Sequence, residues 1–129
     1  MAHPNEELLK RGYEAFSARD LDTVLSVFAD DITWHVGGSS TLSGDYKGHD
    51  QVKGFFGGLM EMSGGTFSQE VHDILANDSH GAVMVTFHAE RGGRSLDGRE
   101  VHIWHLANGK ATEFWGFPED QAALDELFS

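Results

Sequence analysis

Apolar residues recur at helical spacing up to Met62 and at every second position after Thr66, and that switch divides the chain into two halves. "PNEELLKRGYEAFSAR" predicts a first helix opened by Asn5. Glu6 and Glu7 lie in its first turn, and Leu8, Leu9, Tyr13 and Phe16 form its apolar stripe. Asp20 caps a second helix, "LDTVLSVFA", with Leu21, Val24, Leu25 and Phe28 on one side. "DITWHV" alternates as a strand, and "GGSSTLSGDYKG" reads as a loop dense in Gly and Ser. "HDQVKGFFGGLMEM" then returns to helical spacing through Val52, Phe55, Phe56, Leu59 and Met60.

Beyond Thr66 the pattern predicts a meander of about four strands. These are "TFSQEVHDILA", "GAVMVTFHAER", the later part of "LDGREVHIWHLA" after a turn, and "ATEFWGF". "NGK" marks a hairpin, because Asn-Gly supplies the positive φ angles of a type I′ turn. Pro118 is expected to open a last short helix over "EDQAALDELF". Helices first and consecutive strands after give an α+β layout in one domain spanning residues 1–129. A curled antiparallel sheet of this kind, wrapped by three N-terminal helices with a short C-terminal helix at its rim, closes like a cone. Its concave face lines a cavity, the usual form of a small-molecule site.

Composition narrows what could enter that cavity. Nine basic residues against 21 acidic ones give a formal charge of −12. That balance argues against nucleic acid and against an anionic membrane surface, since both require Lys and Arg. A small neutral or apolar molecule remains as the expected partner. The chain has no cysteine, so thiol and disulfide chemistry are excluded. With no signal-peptide-like or membrane-spanning run, a cytoplasmic location is the expectation.

The stretch "VHIWHL" carries the most chemistry. Alternation places His102, Trp104 and Leu106 on one face and Val101, Ile103 and His105 on the other. His102 and His105 therefore point opposite ways and cannot share an ion. The eight histidines are scattered without ligand spacing, so no metal is expected. There is no Gly-x-Ser-x-Gly turn and no phosphate-cradling loop.

Three stretches, "RGYEAFSARDLDTVLSVFADDITWHV", "LSGDYKGHDQVKGFF" and "NGKATEFWGFPED", resemble in that order the SnoaL-like, ketosteroid-isomerase-like branch of the NTF2-like superfamily. The resemblance covers nearly the whole chain and implies the cone fold. Its better-known enzymes move protons in an apolar cone without a cofactor, so none is expected here. The same fold also serves cyclases, dehydratases, epoxide hydrolases and non-catalytic binding modules. The ketosteroid isomerases use a carboxylate base with a Tyr and a protonated Asp as oxyanion donors. Carried over by position, their Tyr falls near Gly12, beside Tyr13. The base falls at or beside Val36, next to His35, and the oxyanion Asp at or near His102. Neither Asp is matched, which argues against the steroid-isomerase mechanism. The implied register turns His102 and Trp104 into the cavity.

The candidate catalytic residues are therefore His102, His35 and Glu113, the last forming an acid–base pair with His102 if it faces inward. Candidate ligand-binding residues are Tyr13, Trp34, Tyr46, Phe55, Trp104 and Phe114. Strict alternation aims His35 away from an inward Trp34 unless a bulge turns it back. By the family register Phe114 and Gly116 line the cavity, and a slip of one residue would exchange them for Glu113 and Trp115. His72, His88 and His105 read as outer-face residues, and their polar and aromatic neighbours suggest a homodimer through that face. Two functional readings follow: a cofactor-free acid–base enzyme of small apolar metabolites, or a binding module that holds such a molecule unchanged.

Overall fold

A computed structural model describes residues 2–129. Its elements are α1 (Pro4–Ser17), α2 (Leu21–Ser26), β1 (Phe28–Val36), β2 (Gly44–Lys47), α3 (Gly48–Met62), β3 (Ser68–Ala76), β4 (His80–Arg91), β5 (Arg94–Ala107), β6 (Lys110–Pro118) and α4 (Gln121–Leu127). The six strands form one sheet in the order β2-β1-β6-β5-β4-β3. The expected meander is present as β3 to β6, each antiparallel to the next. The sheet is not wholly antiparallel, however, because β1 runs parallel to β6. That pairing ties the N-terminal half of the chain to the end of the meander.

Local chemistry explains most boundaries. Asp20 accepts from the Thr23 N–H and opens α2 as expected. For α1 the cap is His3, whose Nδ1 accepts from the Asn5 N–H with Pro4 in the first turn. Asn5 instead donates to the carbonyls of Asn77 and Asp78, pinning α1 to the β3–β4 turn. Asn108 and Gly109 hold φ of 54° and 74°, the left-handed pair the "NGK" hairpin requires.

Five further expectations are corrected. Helix α2 ends at Ser26, so Phe28, expected on its apolar side, opens β1 instead. The loop after β1 contains β2, a four-residue edge strand paired to β1. The β4–β5 hairpin turns at Gly92–Gly93, with φ of 59° and 80°, so Leu96, Asp97 and Gly98 lie within β5. Pro118 ends β6 instead of opening a helix, and Asp120 caps α4 through the Ala123 N–H. In β3 the register shifts at His72, which brings Ile74 onto the inner face against the core and leaves Leu75 exposed outside.

The inner face of the sheet carries Val83, Val85 and Phe87 from β4, His102, Trp104 and Leu106 from β5, and Ile32 and Trp34 from β1, all buried. Helix α1 lies against this face at Gly81, where an added Cβ would come within 2.6 Å of a Leu9 methyl. Phe55 and Phe56 of α3 pack on Trp34. At the far end Leu127 and Phe128 join Leu42, Leu59, Phe67 and Phe87 in a second cluster. The walls are thus apolar, and they enclose a cavity of about 130 Å³ instead of meeting.

Candidate active site

Tyr13, Trp34, Phe55, Trp104 and Phe114 all line this cavity, as do His102 and Glu100. Strand alternation explains the polar members: Glu100, His102 and Trp104 follow one another at every second residue of β5. The bulge that sets their neighbours lies in β6, where His105 pairs with Glu113 but Leu106 pairs with Ala111, leaving Thr112 as the extra residue. Above it, Phe114 and Gly116 are opposite Trp104 and His102, which is the register the family resemblance implied.

The polar groups form one hydrogen-bonded chain. The Trp104 indole N–H donates to the Tyr13 oxygen at 3.0 Å. Tyr13 and His102 Nδ1 are 2.5 Å apart, and His102 Nε2 lies 2.8 Å from Glu100 Oε1. The donor inventory fixes the directions. Indole only donates and an ionised carboxylate only accepts, so the Tyr13 hydroxyl donates to Nδ1 and the ring proton sits on Nε2, donating to Glu100. One ring proton satisfies every member. Burial holds the Tyr13 phenol well above its ordinary pKa, the Trp104 N–H offsets part of this, and the Glu100 charge adds to it. Tyr13 is therefore a hydrogen-bond donor at neutral pH.

Glu100 is the residue that sequence reasoning missed. Its second oxygen has no hydrogen-bond partner among the described residues, and it rests against Gly116. A Cβ at that position would meet Glu100 Oε2 at 2.9 Å, so glycine provides the space the carboxylate occupies. The signal was present in the alternation: if His102 faces inward, so does the residue two before it.

The aromatic wall holds a further donor. Trp34 is 6% exposed and stacks on Phe114 with ring centroids 3.7 Å apart and planes 15° from parallel. Its indole N–H is buried without a hydrogen-bond partner. Leaving such a donor unpaired costs about 1–3 kcal/mol. Phe114 also packs edge-on against His102, at 4.9 Å, so it bridges this donor and the polar chain.

The remaining candidates lie elsewhere. His35 borders the cavity through its place in β1, but its ring turns to the outer face of the sheet, as alternation required. There Nδ1 is 2.7 Å from Asp45 and Nε2 is 2.7 Å from Glu113. Glu113 is thus outside as well, and it pairs with His35 and, at 3.3 Å, with His105; the pair expected between Glu113 and His102 is not formed. Burial works against a charge on His35, but the hydrogen bonds to Glu113 and Asp45 outweigh it and raise its pKa. Tyr46 does not line the cavity: its hydroxyl donates to the Leu42 carbonyl at 2.7 Å and its ring packs on Phe55. His88 is on the outer face, between Asp97 and Glu90. Among the described residues no group of three or more His, Asp or Glu side chains is arranged to hold a metal ion. None of their helices is long and apolar enough to cross a membrane.

Comparison with known proteins agrees with this architecture. The SnoaL-like domain family matches residues 9–114. The chain belongs to that family. An uncharacterized protein of Mycobacterium tuberculosis is 30% identical over 124 residues, covering 95% of each sequence. Bal32a, from a soil-derived mobile gene cassette, is 31% identical in sequence and superposes with a TM-score of 0.93, covering 98% of this chain and 97% of its own. TerC, co-crystallized with polyporic acid, is 26% identical with a TM-score of 0.87 over 98% of each chain. The fold is the NTF2-like cone that the resemblance implied.

Proposed function

We propose that this SnoaL-like protein binds a compact, mostly apolar molecule in its cone and moves a proton on it without a cofactor, with Glu100 as the base. The carrying observation is the chain Trp104–Tyr13–His102–Glu100, which ends in a carboxylate oxygen free to meet a ligand. In this reading His102, the strongest candidate from sequence, is a positioning residue: both its ring nitrogens are engaged, and it orients Glu100 while steadying its charge. Glu100 removes a proton from carbon next to a carbonyl, giving an enolate and a neutral carboxyl. The same carboxyl returns the proton, to the same carbon or to a conjugated one. This is isomerase- or cyclase-type chemistry, and positioned acid–base groups contribute about 10²- to 10⁴-fold to such steps. The co-crystal of TerC with polyporic acid supports small-molecule binding by this fold.

The binding-module reading has an observation of its own, since a histidine with both nitrogens satisfied is also what a purely structural polar network contains. Deuterium exchange separates the two. With 1-indanone and 1-tetralone in D₂O, the protein is expected to accelerate exchange of the protons next to the carbonyl. Glu100→Gln should lower that rate about a hundredfold while changing affinity little. Binding without any acceleration by the wild-type protein would establish the module reading instead.

We also propose that two copies associate through the outer face of the sheet. Val101 and Phe117 are cross-strand neighbours there, 38% and 57% exposed, beside charges that His35, Asp45 and Glu113 already pair among themselves.

A further inference from the structure

The indole N–H of Trp34 has no role in the proton-handling chain. Trp34 is among the residues that line the cavity, its side chain is more than nine-tenths buried, and its N–H has no hydrogen-bond partner among the described residues. The other tryptophan of the wall differs: the Trp104 N–H is committed to Tyr13. Trp34 is also held firmly. Phe114 stacks on one face of its ring, and Phe28, Phe55, Phe56 and Trp104 surround it with centroids between 5.3 and 5.8 Å away. A buried donor fixed by packing and left unpaired is a preorganised site for an acceptor.

We propose that the Trp34 N–H donates to a carbonyl oxygen of the bound molecule, so that Trp34 selects ring ketones over hydrocarbons of the same shape. This rests on the cavity reading above and adds the substrate class to it. Three features favour a neutral ketone over an anion: the formal charge of −12, the Glu100 carboxylate in the same cavity, and an indole donor that brings no positive charge. The stacked Trp34–Phe114 pair favours a flat ring. A donor on the carbonyl oxygen also serves the proposed chemistry, because negative charge develops on that oxygen as the neighbouring carbon loses its proton.

The test compares 1-indanone with indane, which differ in the carbonyl oxygen, on the wild-type protein and on Trp34→Phe. The wild type is expected to bind 1-indanone at least tenfold more tightly than indane. In Trp34→Phe that preference should fall below threefold, with indane affinity as the control for altered packing. An independent readout needs no comparison of affinities. In ¹H–¹⁵N spectra of the wild type the Trp34 indole signal, assigned as the one of three such signals that Trp34→Phe removes, should shift downfield with 1-indanone and not with indane. Equal affinity for the two molecules, or an indole signal that 1-indanone leaves unmoved although it binds, overturns the Trp34 assignment alone. Failure of both molecules to bind overturns the cavity reading and the assignment with it.

Discussion

On the inner face of the sheet His102 is gripped between a phenol and a carboxylate; on the outer face His35 lies between two carboxylates. Both rings have both nitrogens engaged, yet the chemistry differs. A phenol can donate, so one ring proton satisfies His102 and its neighbours. Two carboxylates can only accept, so His35 satisfies both only when it carries two protons and a positive charge. Burial separates them further: His102 is 6% exposed among aromatic rings, whereas the His35 ring is half-buried at an open sheet surface. The sequence contains the same residue type at both places, and it is the partners that make one a link in a buried hydrogen-bond chain and the other a ring whose positive charge two carboxylates favour.

The contrast is sharpest in stability. His102→Ala strands the Tyr13 hydroxyl and the Glu100 carboxylate in a buried wall, and should cost about 3 kcal/mol in urea denaturation. His35→Ala leaves partners that water can reach, and should cost no more than about 1 kcal/mol. Equal losses would break the distinction. A smaller effect is expected from Phe117→Asp, which puts a charge beside Val101 in the exposed apolar pair of the outer face. Self-association measured by analytical ultracentrifugation should weaken by about tenfold or more, or about 1.4 kcal/mol, with the fold retained. A monomeric wild-type protein would remove the outer face from consideration as an interface.

The smallest effect is in pH dependence. The folded-state pKa of His35 is raised above its unfolded value, so its contribution is complete below about pH 6.5. It then fades as pH rises through the folded-state value. Thermal stability of the wild type, relative to His35→Gln, should therefore shrink on going from slightly acid to alkaline pH. A constant difference between the two proteins across that range would show that the two carboxylates do not hold the charge.

Much of this was legible in the sequence, for physical reasons that can be named. The period of two in "VHIWHL" placed His102 and Trp104 on one face, and the same rule extended by two residues reaches Glu100. Asp20 and Asn108–Gly109 act through their own backbone neighbours, so their roles are visible locally. By contrast β2 offers only Tyr46 as an apolar signal in four residues, too little to set a strand apart from a Gly- and Ser-rich loop. The bulges at His72 and Thr112 depend on what lies across the ladder, which no local pattern records. The location of Glu113 follows from pairing with β1, a partner 78 positions away from it at His35. The Gly92–Gly93 turn was readable, since adjacent glycines are themselves a hairpin signal, and "LDG" competed with it only by composition.

The parallel seam between β1 and β6 also sets an order of events during synthesis. Until residues 110–118 have left the ribosome, β1 has only the short β2 beside it, and a two-stranded ribbon is marginal in water. Helix α1 can settle on β3 and β4 before then, but α3 and its aromatic side chains cover β1 and gain a complete surface only when the seam closes. Closing this long-range seam is expected to be the slow step of folding, with the apolar face of α3 among the last to be covered.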